Sequence, residues 1–228
     1  MTGPEKIKCA VTNWNYIYDL CRDLSARVVV SGYEPDVIVA LARGGWFAGR
    51  ILCDFLGISD LVSLKVEHYI GTARLADECQ VRYPLAEEMI SGKQVLIVDD
   101  IADTGKSLQH SLDYVRELEP TDCKTGVLQL LFTSKITPNY YAELLEDWMW
   151  VVYPWNFVED MIDLILKLMA KGKIDVWNIK SIKAGLNDLF SIDSIQLNIA
   201  QPGRLPEILN EMQRRKLIEQ KEGGWMLK

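Results

Sequence analysis

Histidine is scarce in this 228-residue chain: His68 and His110 are its only two. That leaves too few imidazoles for a multi-histidine metal centre. The five cysteines, Cys9, Cys21, Cys53, Cys79 and Cys123, form an odd set with no close pair and no CxxC. The pattern argues against a disulfide framework or a zinc site and for a reducing cytoplasm. No apolar run approaches the roughly 20 residues that a membrane span needs, so no membrane partner is expected. The first residues, MTGPEKIKCAV, lack the charged-then-apolar pattern of an export signal. No internal repeat or low-complexity segment is present.

Apolar residues are plentiful instead, at 49% of the chain, enough for a sizeable core. The formal charge of -7 is unevenly spread. From Lys171 onward there are ten Lys and Arg against seven Asp and Glu; the first 170 residues carry fifteen against twenty-five. Such a shift marks a candidate domain boundary, with one domain over 1–170 and a small module over 171–228.

Hydrophobic periodicity places the elements. Thr12 or Asn13 caps a helix through WNYIYDLCRDLSARVVV, which Gly32 breaks. DVIVAL is a short apolar strand, and FAGRILCDFLG a helix ending at Gly57. LVSLKVEHYI is a strand. The polar GTARLADECQVRYPLAEE is the best candidate for a long mobile loop. QVLIVDD, ending in strand at Val98, has the β-branched run of a strand buried on both faces of a parallel sheet. A helix, SLQHSLDYVRELEP, stops at Pro120; TGVLQLLF and MWVVY are further strands. Alternating strands and helices predict an α/β fold, a mainly parallel twisted sheet flanked by helices. VEDMIDLILKLMAKGK, IKSIKAGLNDLFSI and LPEILNEMQRRKLIEQ have helical spacing, and Gly223-Gly224 makes a tight turn before WMLK.

The stretch VLIVDDIADTGKSL carries the chemistry. Its Gly105-Lys106-Ser107 ends like a nucleotide P-loop, but the first glycine of that motif would fall on Asp100, where a carboxylate repels a triphosphate. Asp99 and Asp100 stand at the carboxyl edge of the sheet, where open α/β sheets bind ligands. Two adjacent carboxylates suit a vicinal diol or a ligand-borne divalent metal. Ala102, Asp103, Thr104, Gly105, Lys106 and Ser107 lead into a helix N-terminus, which favours a phosphate. A diol binder next to a phosphate cradle describes a ribose 5-phosphate site. Asp103 and Thr104 also have the makings of an ordinary acidic helix cap.

This stretch resembles the phosphoribosyl pyrophosphate (PRPP) motif of type I phosphoribosyltransferases, closest to the 6-oxopurine branch. The resemblance spans roughly residues 10 to 165. VALARGGWFAGR matches the family's pyrophosphate loop, with Arg43 and Gly44 in place; the resemblance implies a cis Ala42–Arg43 peptide. It also implies that Lys135, in LLFTSKITP, contacts the purine 6-oxo group. Trp150 would stack on the base, while Val151 would read the purine edge through its backbone; spacing to Pro154-Trp155 favours Trp150 over Trp155 as the stacking ring. Tyr69 matches the start of the family's catalytic loop, placed around 70 to 84, although Glu67-His68 replaces its serine.

The function implied is transfer of 5-phosphoribosyl from PRPP to N9 of guanine, hypoxanthine or xanthine. Asp103 would be the general acid/base and Arg43 would stabilise the leaving pyrophosphate. Asp99 and Asp100 would hold the ribose hydroxyls and through them Mg2+. The family usually forms dimers or tetramers. The last 60 or so residues depart from compact members and resemble the second half of a winged helix, with Arg214, Arg215 and Lys216 on a helix. That keeps a second reading in view, a PRPP- or nucleotide-sensing transcriptional regulator. The net charge near +3 after residue 170 is modest for nucleic-acid binding, so a protein-facing role is favoured.

Overall fold

The structure is a computed structural model that describes residues 7–71, 74–172 and 174–228, without the side chains of residues 67–80. Strand β1 (Cys9–Val11) precedes helix α1 (Trp14–Val30). Ile17, Leu20, Cys21, Leu24 and Val28 form the buried stripe of α1, at the spacing of one helical face. Strand β2 (Val37–Leu41) is buried at every position, and α2 (Gly45–Leu56) follows, ending on Gly57 at φ 69°. Next come β3 (Asp60–Gly71), β4 (Arg74–Tyr83), β5 (Gln94–Ala102), α3 (Lys106–Glu117), β6 (Asp122–Leu131) and β7 (Tyr140–Leu145). The C-terminal third holds β8 (Trp150–Val152), α4 (Phe157–Lys171), α5 (Ile179–Phe190), α6 (Ser194–Ala200), α7 (Arg204–Arg214), β9 (Ile218–Lys221) and β10 (Gly224–Leu227).

These elements form two compact units. Asn15–Trp148 is one; the chain up to Trp14 together with Met149–Lys228 is the other. Helix α4 belongs to a core with α5 and α7, built from Met161, Ile165, Leu168, Ile182, Leu186, Ile208 and Met212. Charge composition reports on surfaces, whereas the units follow the buried faces.

In Asn15–Trp148 the sheet order is β4-β3-β2-β5-β6-β7, parallel except where β4 runs antiparallel to β3. Strand alternation sorts the two faces. Val37, Val39, Leu41, Val95 and Ile97 share a core with Leu108 and Val115 of α3. On the other face, Gly49 of α2 lies so close to Ala40 and Ile38 that a Cβ would meet Ala40 Cβ at 2.9 Å. The mobile loop expected around 70 to 84 is corrected: its backbone forms β4, in register with β3 from Lys65↔Tyr83 to Gly71↔Arg74. Cys79, Val81 and Tyr83 do alternate with polar residues, but Ala76, Asp77 and Glu78 break the period before them.

In the second unit, β1 pairs with β8 as a separate parallel pair. Helices α5 to α7 lead to the β9–β10 hairpin, whose Trp225 exchanges two backbone hydrogen bonds with Trp177, at 2.7 and 2.8 Å. Asn178 and Ser181 close a capping box on α5, and Asp193 caps α6 by accepting from Ile195 and Gln196. The helix expected across LPEILNEMQRRKLIEQ ends at Arg214, and Ile218 begins a strand; Lys216, at φ 61°, turns the chain. No helix among the described residues is long and apolar enough to cross a membrane. Cys9, Cys21, Cys53 and Cys123 are free thiols.

Candidate functional site

From β2 the chain passes to β3 on one side of the sheet and later returns to β5 on the other, so β2 and β5 flank the point where the winding reverses. Open α/β sheets bind ligands at the carboxyl ends of such strands. Strand β5 is longer than its apolar run implies. Its ladder with β2 stops at Ala40↔Val98, while its ladder with β6 continues through Asp99↔Val127 to Ala102↔Leu130. The ten-residue β6 supports the extension. Asp99 and Asp100 therefore sit on strand backbone that β2 no longer flanks, beside the turn that follows β2.

That turn is shaped around the two carboxylates. A Cβ on Gly44 would lie 1.9 Å from Asp100 Oδ2, and one on Gly45 would lie 2.5 Å from the Val98 carbonyl oxygen. Neither position tolerates a side chain without displacing the aspartates or their strand. Asp99 Oδ1 accepts the Asp100 N–H at 3.0 Å, its carboxylate also accepts the Gly45 N–H, and Asp100 Oδ1 accepts the Ile101 N–H at 2.9 Å. Burial, and then the adjacent Asp100 charge, hold the Asp99 carboxyl well above the ordinary carboxylate range despite these bonds. Asp100 is itself buried, at 8% exposure. Such a pair is suited to a ligand that brings donors or positive charge. The Ala42–Arg43 peptide is cis, and the Arg43 side chain is exposed.

Beyond the pair, Ala102 ends β5 in the core, and Asp103 and Thr104 are exposed. Gly105, at φ 77°, turns the chain into α3. A Cβ there would face both the left-handed backbone penalty and Ser134 Oγ at 2.8 Å. Lys106 and Ser107 open α3, whose first N–H groups lack intrahelical partners and so favour an anion. Thr104 Oγ1 lies 3.4 Å from the Lys106 N–H.

Arg43, Gly44, Asp99 to Ser107 and Lys135 thus lie in one unit, following β2, β5 and β6. Lys135 is exposed, and its N–H donates to the Thr104 carbonyl at 3.2 Å. Trp150 and Val151 belong to the other unit, on β8. Trp150 is 48% exposed, whereas Val151 is buried. Trp155 stacks on Tyr153 at 4.8 Å and 5° and tilts against Trp14 at 5.8 Å. The side chain of Tyr69 lies outside the described residues. Sequence reading passed over Thr133, whose hydroxyl reaches Asp103. Its only signal is a hydroxyl residue two positions before Lys135.

Comparison with known proteins agrees with this geometry. Residues 3–152 match the phosphoribosyl transferase domain family. The xanthine-guanine phosphoribosyltransferase of Cereibacter sphaeroides is 27% identical over 156 residues, covering 66% of this chain and 89% of that protein. The crystal structure of a purine phosphoribosyltransferase from Pyrococcus horikoshii aligns with a TM-score of 0.57 at 28% identity, over 64% of this chain and 93% of that one. The xanthine-guanine-hypoxanthine phosphoribosyltransferase of Helicobacter pylori shares the fold, with a TM-score of 0.59 at 16% identity over 68% of this chain and 98% of that one. A carboxylate pair seated on glycines, a phosphate-ready helix start and a family match across residues 3–152 converge: this chain belongs to the phosphoribosyl transferase domain family.

Proposed function

We propose that the protein is a purine salvage enzyme that transfers 5-phosphoribosyl from PRPP to N9 of a 6-oxopurine and releases pyrophosphate. The observation that carries this reading is the Asp99–Asp100 pair, with Gly44 closed against it and the Gly105 turn into α3 directly after it. The names of the similar proteins, which act on xanthine and guanine, support the choice of base.

In this reading Asp99 and Asp100 accept hydrogen bonds from the ribose 2- and 3-hydroxyls. Ala102 to Ser107 hold the 5-phosphate through backbone N–H groups and the Thr104 and Ser107 hydroxyls. Arg43 and Gly44 face the pyrophosphate, and the guanidinium gains most as charge builds on the leaving group. Asp103 exchanges a proton with N7 of the base. Lys135 contacts the 6-oxo group, Val151 offers its backbone to the purine edge, and Trp150 stacks. The exposed ring of Trp150 suits it to stacking better than Trp155, whose face already covers Tyr153. Tyr69 stands near the end of β3, and the β3–β4 pair takes the place of the family's catalytic loop in this reading.

Among the described residues no group of three His, Cys, Asp or Glu side chains could hold a metal unaided. Two hard carboxylates fit Mg2+ that arrives on the ligand's hydroxyls and pyrophosphate. When bound, the ion neutralises charge on the leaving pyrophosphate.

Residues 1–170 supply the family's domain in this reading, and 171–228 are an added module. The protein is a cytoplasmic homodimer or tetramer. The C-terminal arginines give no support to a nucleic-acid partner or a regulator: Arg204 pairs with Glu207, and Arg214 and Arg215 both pair with Glu211. A panel of guanine, hypoxanthine, xanthine and adenine with PRPP and Mg2+ tests the assignment. Turnover of at least one 6-oxopurine, with adenine inert, is expected; turnover of adenine alone would overturn the choice of base.

A further inference from the structure

Thr133 stands just past the carboxyl end of β6, two residues before Lys135, and is exposed. Its Oγ1 lies 2.8 Å from Asp103 Oδ1 and 3.1 Å from the Asp103 main-chain oxygen. A threonine hydroxyl has one proton, so it serves these two acceptors in turn or shares the proton between them. An ionised carboxylate is the stronger acceptor and takes it. When the carboxyl is protonated, the hydroxyl can turn to the carbonyl without losing a partner. Both residues are at the surface, where such a bond adds little to folding. Its effect falls on where the Asp103 side chain points.

The surrounding backbone is arranged to keep this contact in place. The Ser134 N–H donates to Leu131 O at 3.0 Å, and Ser134 Oγ donates to Ile136 O at 2.8 Å, so residues 131–136 form a tight turn. That turn leans on the phosphate loop at two further points. The Lys135 N–H reaches Thr104 O at 3.2 Å, and Gly105 leaves no room for a Cβ between itself and Ser134 and Ile136. The loop after β6 is thus a brace behind the loop after β5.

We propose that Thr133 is the positioning residue for Asp103, aiming its carboxylate and staying hydrogen-bonded to Asp103 whether the carboxyl is charged or neutral. The inference rests on the reading of Asp103 as the acid/base of phosphoribosyl transfer. During transfer Asp103 gains a proton and loses it again; the Thr133 hydroxyl follows by rotating from Oδ1 to the carbonyl and back, with its O–H bond unbroken. Orientation of a reacting group is worth far more to rate than to binding.

The test compares Thr133→Val, which keeps the shape and loses the hydroxyl, with Thr133→Ser, which keeps the hydroxyl. Each is measured alone and combined with Asp103→Asn, and thermal unfolding checks that each folds; Thr133→Ala replaces Thr133→Val should the latter not fold. The valine variant is expected to lose roughly tenfold in kcat with the KM for PRPP within about twofold, the pattern of an interaction that matters in the transition state. Thr133→Ser should stay within about twofold of the parent kcat. On the Asp103→Asn background the valine change should cost less than about twofold, since its effect runs through Asp103. A valine variant at full kcat, a serine variant as slow as the valine one, or an undiminished loss on the Asp103→Asn background would each overturn the inference while leaving the enzyme assignment standing. Asp103→Asn at full rate overturns the role of Asp103 itself, and a parent protein without turnover on any base overturns the function; either also removes this inference.

Discussion

The sheet unit and the C-terminal helices treat their carboxylates in opposite ways. Asp99 and Asp100 are adjacent and like-charged, Asp100 buried and Asp99 half-buried, and Gly44 and Gly45 press backbone onto them. Glu207 and Glu211 are held by arginines one helical turn away, and the pairing with Arg214 and Arg215 draws Glu211 down to about 2. A carboxylate satisfied by its own helix has little left for a ligand. A carboxylate pair whose charge is disfavoured where it stands becomes a site once something supplies donors and cations. The first arrangement suits a ligand, the second is a surface in balance.

Five changes press on that contrast. Gly44→Ala should be the most severe: with a Cβ 1.9 Å from Asp100 Oδ2, the carboxylate must move, and a displacement of that size costs about 100-fold in kcat/KM. A variant with parent kinetics would mean that Asp100 need not stand where it does. Trp150→Ala should raise the KM for the base by roughly 5- to 150-fold, the range expected for losing a stacking partner worth about 1–3 kcal/mol. Trp155→Ala should instead lower the unfolding temperature, because it removes a ring from the cluster with Tyr153 and Trp14. The reverse pattern would exchange their roles.

The fourth change is pH. The Asp99 carboxyl is raised in the folded protein, so the fold holds a proton that the unfolded chain has released. Stability then falls as pH rises through that window, from the ordinary carboxylate range upward to the raised value. Mg2+–PRPP favours the ionised pair, so binding should release protons there and affinity should rise with pH by up to about tenfold per unit. Calorimetry in buffers of different ionisation heat measures this; proton uptake would contradict it. The smallest effect is expected from replacing Arg214 and Arg215 together by alanine, which should leave kcat within about twofold, as exposed ion pairs contribute little. A large loss would join the C-terminal module to the reaction.

Much of the contrast was legible beforehand. VLIVDDIADTGKSL announces a buried strand, a carboxylate pair and a helix start through local sequence alone, and α1, α2 and α3 followed from their apolar stripes and their glycine and proline stops. What stayed hidden depends on partners distant in sequence. The length of β5 is set by β6, whose ladder continues past the end of β2. Strands β1 and β7 are short and were not anticipated, and the backbone of β4 follows from its pairing with β3. The same register, Ala102↔Leu130, brings Thr133 near Asp103 across about 30 residues of chain, which no spacing rule reports.

The most direct measurement is the stoichiometry of products. Purified protein is given PRPP, Mg2+ and each 6-oxopurine, and nucleoside 5'-monophosphate and pyrophosphate are quantified together. Equal amounts of the two, formed only when both substrates are present, are predicted. Tight PRPP binding with neither product formed from any base would contradict the account.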